Sequence, residues 1–455
     1  MTTVDSPWLK RVFLLVVLVL HVPILYNGYL LAVETVHGNE AAERLLVKPR
    51  YGFMRVPPGR LATKYDAVNR VSADFAQIYF PARDPANMAY TTATDDPWAR
   101  PSRYAPLLHI ICRQTACRLS YGYASLWHML IQLAALYLSL VAAHRILGIK
   151  QYLLLSILLS NIILFLTPVG LSFIERGQFS VYVTLAYLWM FLGIKTRSPL
   201  YFLLSAIFAF IKWTSFPFIF VAVALWILDD LRNRPFKQAK YTILLAAIYP
   251  FAIELFLLLD IDNTIIFLKG LRAQEIASSP LGMSLATILP GSLIKVLPFM
   301  LVAVGTYLSW RRKNRDYDFY IPYLCAVGIL MVVYPTVTYD YSTPCLLFLF
   351  PVFIYWIKEH SRRTDEAQEN TKTGITIPPF SENRLPYISF ISITVFLLAT
   401  SLFMYVDRIV NLSREYEYYL AHIYLAAGLG FIALFLAHTR SPRPPLVAPA
   451  IEPDA

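Results

Sequence analysis

Charge is what this chain has least of. Only 15% of its 455 residues are Asp, Glu, Lys or Arg, where soluble domains carry about a quarter. With 57% hydrophobic residues and a mean hydropathy of +0.53, the composition excludes a soluble globular domain and implies a membrane protein. Cysteine is scarce too. Of the four, Cys325 and Cys345 fall in or beside apolar runs, where cysteine acts as a small hydrophobe. Cys112 and Cys117 lie in a polar segment, and the sequence leaves open whether they pair in an oxidising compartment. No Cys/His spacing suits a metal, and no internal repeat is visible. No A-x-A-like cleavage site follows the first apolar run, which is therefore expected to remain as a signal anchor. The net charge of +11 raises nucleic acid as a partner, but the distribution of the cations argues for no nucleic acid.

Lys10 and Arg11 precede an apolar run from Val12 to Val33 that is long enough to span a bilayer. A polar segment follows, from Glu34 to about Tyr121, rich in Arg, Pro, Asp and Tyr. Further apolar runs read as spans at 123–143, 152–173, 179–194, 200–211, 215–228, 241–259, 293–310, 319–334, 343–357, 387–405 and 419–437. The expected fold is therefore an all-α polytopic membrane protein of about twelve transmembrane helices. Its parts are a transmembrane core at 1–357 with a long outer loop at 34–121, and a linker at 358–385. A C-terminal hairpin at 386–437 and a Pro-rich disordered tail at 438–455 complete the chain.

Sidedness follows from Lys and Arg in the short loops. One set of connections holds Arg145 and Lys150, Lys195 and Arg197, then Arg232, Arg234, Lys237 and Lys240. It continues with the Arg311-Arg312-Lys313 cluster, Lys358, Arg362 and Arg363. The opposite short connections hold few cations, chiefly Arg176, Lys269, Arg272, Arg408 and Arg414. The richer set is cytoplasmic, which puts both termini in the cytoplasm. The basic excess is a topology signal.

Folded onto that topology, polar and ionisable residues collect on the outer side. Val68, Val71, Phe75 and Ile78 recur at helical spacing and predict a short amphipathic helix. Asp74 lies at the edge of its apolar stripe, where membrane surface would meet water. Glu175-Arg176-Gly177-Gln178 forms a tight turn between two spans. Lys212 falls at a break between two short apolar runs, Ser284 lies after a long outer segment, and Tyr339-Asp340 sits at the mouth of a late span. Plainer accounts exist for each. Lys212 could snorkel to the interface, Glu175 and Arg176 could pair on the surface, and Asp340 could cap the helix after it. Together they describe an outer cavity with a carboxylate and two cations, suited to an anionic lipid headgroup and a reaction that needs a base.

In these residues the chain resembles the multispanning GT-C glycosyltransferases, and among them the bacterial alpha-1,2-mannosyltransferase-like family, which uses polyprenyl-phosphate sugars. The resemblance runs through Asp74-Phe75, Tyr79-Phe80-Pro81-Ala82, Tyr90 and Tyr104-Ala105-Pro106-Leu107 in the first outer loop. It continues with Arg176-Gly177-Gln178, Lys212 followed by Pro217, Ser284-Leu285 and Tyr339-Asp340. The chain departs from the family pattern at Phe179-Ser180, where an Asn is usual, and at Thr91, where an acid is usual. The resemblance implies a GT-C-like core and inverting sugar transfer on the extracytoplasmic side of the bacterial inner membrane. Asp74 would be the general base, and Arg176 and Lys212 would hold the donor phosphate. Glu175, Gln178, Tyr339, Asp340, Ser284 and Tyr104 would contact sugar or acceptor. The implied partners are a polyprenyl-phosphate sugar donor, mannose first, a glycolipid or glycan acceptor, and membrane lipids. No cofactor is expected: Asp95-Asp96 offers oxygens to a divalent cation, but a solvated turn is the better account of that pair. The alternative is a transporter or flippase of a lipid-linked anion, for which repeats and matching helix breaks in two halves would be the signature.

Overall fold

A backbone inside a bilayer must satisfy its own hydrogen bonds, and helices do so without help. The computed structural model is accordingly mostly helical over the residues it describes. These are 7–20, 22, 72–83, 90, 101–167, 176–233, 235, 239, 241–244, 253, 255–277, 281–310, 320–335, 337–338, 340–371, 391–392, 394–397 and 415–440. In chain order the α-helices are α1 (Pro7–Leu20), α2 (Ala73–Arg83), α3 (Pro106–Gln114), α4 (Tyr121–Ile146), α5 (Leu153–Asn161), α6 (Ser180–Thr196) and α7 (Pro199–Ile211). Then follow α8 (Phe216–Asn233), α9 (Ile261–Ala277), α10 (Gly291–Trp310), α11 (Ile321–Val332), α12 (Leu349–Thr371) and α13 (Glu415–Arg440). The one extended pairing among the described residues is parallel, two residues long, and joins Leu281 and Gly282 to Val337 and Thr338.

Three helical stretches among the described residues are long and apolar enough to cross a membrane: Tyr121–Ile146, Trp213–Arg232 and Gly291–Trp310. Their surfaces show what surrounds them. On α4 Trp127 is 52% exposed and Leu138 is 71% exposed, while Ser125, His128, Gln132, Ser139 and His144 on the other faces are buried. On α10 the exposed positions Val296, Met300, Val304 and Tyr307 recur three or four residues apart, with Phe299 beside Met300. Apolar stripes outside and polar groups inside are the pattern of helices in lipid.

The core is built on α6, every residue of which from Ser180 to Ile194 is buried. Pro199 at the first turn of α7 starts the next helix, after Arg197 reverses the chain at φ 56°. The two helices pack antiparallel, with Ser205 donating to the Ala186 carbonyl at 2.7 Å. Trp189 donates to Ser139 of α4 at 3.0 Å, and Thr184 accepts the Phe348 N–H at 2.7 Å. Such contacts satisfy polar groups that lipid could not. At its far end Arg197 forms two hydrogen bonds to Asp230 of α8, at 2.6 and 2.7 Å, and lies over the Trp226 ring.

Two expectations change. The 358–385 linker is helical in its first part, because α12 continues through Thr371. Arg362 and Glu359 pair one turn apart within it at 2.6 Å, and the Asp-Glu-Ala-Gln-Glu stretch that follows supplies mostly good helix formers. The predicted stripe of α2 is also not the whole story: the helix begins at Ala73, and Asp74 through Ala82 are buried on every described face. It lies under protein rather than along an interface. Val68 and Val71 lie outside the described residues.

Close helix packing generates one prediction here. A Cβ at Gly305 of α10 would lie 2.7 Å from Leu225 and 2.8 Å from the Tyr323 ring. That ring is pinned because its hydroxyl donates to the Leu301 carbonyl. Gly305→Ala should therefore destabilise by about 1–3 kcal/mol, read as a lower thermal midpoint of the detergent-solubilised protein.

Candidate active site

Asp74 stands in the first turn of α2, and what places it there is Ser72. Ser72 adopts φ 61°, and its carbonyl accepts both the Ala76 N–H at 3.0 Å and the Tyr121 hydroxyl at 2.8 Å. The start of α2 is thus tied to the start of α4. Against Ser72 rests Gly177, at φ 60°, so close that a Cβ on it would lie 2.9 Å from the Ser72 Cβ and 3.0 Å from its Cα. Only glycine allows this left-handed conformation and this approach together.

The approach brings the turn at 176–178 onto Asp74. Arg176 donates through Nε at 2.9 Å and through Nη2 at 3.2 Å, one bond to each carboxylate oxygen. Gln178 donates its amide to the same oxygen as Arg176 Nε. All three residues are buried. The arrangement is a two-pronged guanidinium grip with an amide as third donor, and each donor favours the anionic carboxylate. Asp74 is therefore not the solvated acid at a membrane surface that its place in the sequence predicts.

Lys212 completes the cluster. It breaks the chain between α7 and α8 in an extended conformation, φ −138° and ψ 97°. Its carbonyl accepts from the Ser215 N–H and hydroxyl. The ammonium lies 5.2 Å from the centre of the Tyr104 ring, a cation–π contact, within range of the charges of Asp74, Arg103 and Arg176. Tyr104 in turn packs on Phe179 with ring centres 4.6 Å apart. Its carbonyl accepts the Tyr90 hydroxyl at 2.8 Å.

Helix α3 and the turn after it pack against α2. Tyr79 donates to the Leu119 carbonyl at 2.8 Å, and Arg113 donates to the Ala82 carbonyl at 2.7 Å. Cys112 and Cys117 are joined by a disulfide, which settles what the sequence left open. His109 of α3 is buried, with Nε2 3.0 Å from Ser102 Oγ and 3.2 Å from the Gln77 carbonyl. Burial pushes its imidazole down to about 4, against the hydrogen bond to the Gln77 carbonyl, which pulls it up.

Of the residues the sequence nominates, the fold gathers Asp74, Arg176, Gln178, Lys212 and Tyr104. Ser284 caps the turn Leu285–Thr287, accepting from the Ala286 N–H at 3.1 Å. Asp340 begins the 3-10 helix Asp340–Phe348. Glu175, Tyr339 and the Asp95-Asp96 pair lie outside the described residues. Sequence reasoning missed His128 and Gln132 of α4. The signal was there, a polar pair four residues apart inside an apolar run.

No protein-family model, curated protein or solved structure matches this chain.

Two predictions follow from this geometry. Gly177→Ala should abolish the native fold of the site or lower the thermal midpoint steeply, since the added methyl meets the Ser72 backbone rather than a flexible chain end. The His109 imidazole binds its proton near pH 6.5 when unfolded and near pH 4 when folded, so between those values the unfolded state holds more proton. Stability should fall with acidification through this window, by up to about 3 kcal/mol. A thermal-midpoint series from pH 7.5 to 4 should be flatter for His109→Gln than for the unmodified chain.

Proposed function

We propose that this chain is an integral membrane glycosyltransferase of the GT-C type, with about twelve spans, that uses a polyprenyl-phosphate sugar. The observation that carries the reading is the buried carboxylate of Asp74 shared with Arg176 and Gln178, with Lys212 held on the Tyr104 ring beside it. A base, two cations and aromatic walls are what sugar transfer from a lipid phosphate requires.

On this reading the donor phosphate draws Arg176 away from Asp74 and takes Lys212 as its second cation, exchanging one charge-assisted pair for another. Asp74, relieved of its strongest donor, accepts the proton of the acceptor hydroxyl. The acceptor oxygen bonds the anomeric carbon from the face opposite the leaving group, with inversion. The bond from that carbon to the phosphate oxygen breaks, and its electron pair leaves with the polyprenyl phosphate. That product is a stable anion, so the step needs no general acid. Coupling base release to donor binding would guard the site against idle chemistry.

Mannose is the first choice of sugar, and a glycolipid or glycan is the acceptor. Gln178 and Tyr104 would contact the sugar from the walls, with Glu175, Tyr339, Asp340 and Ser284 as further candidates on the family pattern. The Cys112 to Cys117 disulfide supports an oxidising, extracytoplasmic side for the site in the bacterial inner membrane. The cation pattern supports cytoplasmic termini. The helix break at Lys212 is also a feature of transporters, which keeps carriage of a lipid-linked anion as the second reading.

The test is transfer of labelled mannose from polyprenyl-phosphate mannose to a membrane glycolipid extract by the protein in nanodiscs. Wild type should transfer sugar. Asp74→Asn should bind donor but lose transfer by about 100-fold or more. Equal transfer by both would remove Asp74 from the base role. Absence of transfer with any such donor, alongside movement of donor across a liposome bilayer, would replace the enzyme with the transporter.

A further inference from the structure

The apolar span α4 carries two polar residues toward the site, and neither is needed to make a membrane helix. Gln132 follows His128 by one turn, and both are buried. The Gln132 amide nitrogen lies 2.8 Å from the Gln178 carbonyl and 2.9 Å from His128 Nε2. The amide donates to the Gln178 carbonyl. With its proton on Nε2, His128 donates to the Gly177 carbonyl at 3.3 Å, and in that tautomer the nitrogen accepts nothing from Gln132. The pair thus reaches the peptide planes on both sides of Gln178.

The imidazole is clamped as well. Its ring stacks on Phe75 with centres 4.8 Å apart and packs on Phe179 at 4.4 Å. Phe75 is the neighbour of Asp74, and Phe179 is the neighbour of Gln178. His128 therefore touches the chain on each side of the carboxylate pairing. Gln132 Oε1, meanwhile, is buried without a hydrogen-bond partner among the described residues. Leaving such an acceptor unmet costs about 1–3 kcal/mol, so an apolar residue would serve packing better.

We infer that Gln132 and His128 are positioning residues: by holding the Gly177 and Gln178 carbonyls they aim Arg176 and Gln178 at Asp74. A turn set by Gly177 alone would pivot about its soft dihedrals. Two fixed carbonyls remove that freedom, and the guanidinium meets both carboxylate oxygens. The structural part of this inference stands on the hydrogen bonds; its catalytic consequence rests on the transferase reading.

Two shape-preserving variants test it. Gln132→Met keeps the length of the side chain and removes the amide. His128→Phe keeps a ring between Phe75 and Phe179 and removes the nitrogen. Gln132→Asn, one methylene short, is the milder third. In proteoliposomes carrying 15N-labelled arginine, the Arg176 Nε resonance is assigned by its loss in Arg176→Lys. It should move toward the position of solvated arginines in each variant. In the transfer assay kcat should drop about 10–100-fold with the donor KM little changed, and the double variant should be no worse than the poorer single one. An unmoved Arg176 resonance in the folded variants overturns the inference. So does a loss of transfer that appears only as a lower thermal midpoint. If unmodified protein transfers no sugar, the transferase reading fails, while the resonance still decides whether these residues aim Arg176.

Discussion

The contact on which the most structure depends is the buried ion pair of Asp74 and Arg176, which joins positions 102 residues apart. Burying two charges costs several kcal/mol each unless geometry and further hydrogen bonds compensate. The compensation is visible at every neighbour. Arg176 uses two nitrogens, Gln178 adds an amide, and Ser72 and Gly177 accept left-handed backbone so that the two segments can meet. A stability argument alone would favour an apolar pair here. The arrangement is better understood as a charged site held ready.

Holding it requires that α2 be drawn into the protein. Aromatic residues do most of that work: Tyr79 meets Phe80 and Tyr121 edge-on with ring centres 5.1 Å away in each case, and Phe80 stacks on Tyr121 at 5.3 Å. The Arg113 contact to Ala82 and the Tyr79 hydroxyl bond to the Leu119 carbonyl then tie α3 and the turn after it to α2, and the disulfide closes that turn. Below, α6 acts as a strut between two charged ends. It starts at the Asp74 turn and finishes at Arg197, whose pairing with Asp230 and Thr242 anchors it to α8 and the segment after it. A helix of this length rises roughly 25 Å. Its rigidity carries the position of one polar end to the other through an apolar interior.

The chain composition and its apolar runs already require a helical membrane protein, because lipid leaves a backbone few other solutions. Where helices are described, their positions follow those runs closely: the 123–143 run becomes Tyr121–Ile146, and the 293–310 run becomes Gly291–Trp310. The break at Lys212 was legible from a lone cation between apolar segments. The residues of the cluster were legible as types, an acid, an arginine in a glycine turn, a lysine and a tyrosine. Less legible was the burial of α2, since its Val68, Val71, Phe75, Ile78 stripe suggests one wet face. The continuation of α12 was hidden by its polar composition.

Local pattern thus determined which segments are helical, which are apolar enough for lipid, and which polar residues are out of place among them. Tertiary structure alone decided that Arg176 grips Asp74, that Tyr104 lies against Lys212, that Ser284 caps a turn, and that His128 and Gln132 back the site. The reason is range. Hydrophobic period and loop charge act over a few residues and are written in adjacent letters. A hydrogen bond between residues tens or a hundred positions apart depends on how whole helices pack, and no neighbouring residue records it.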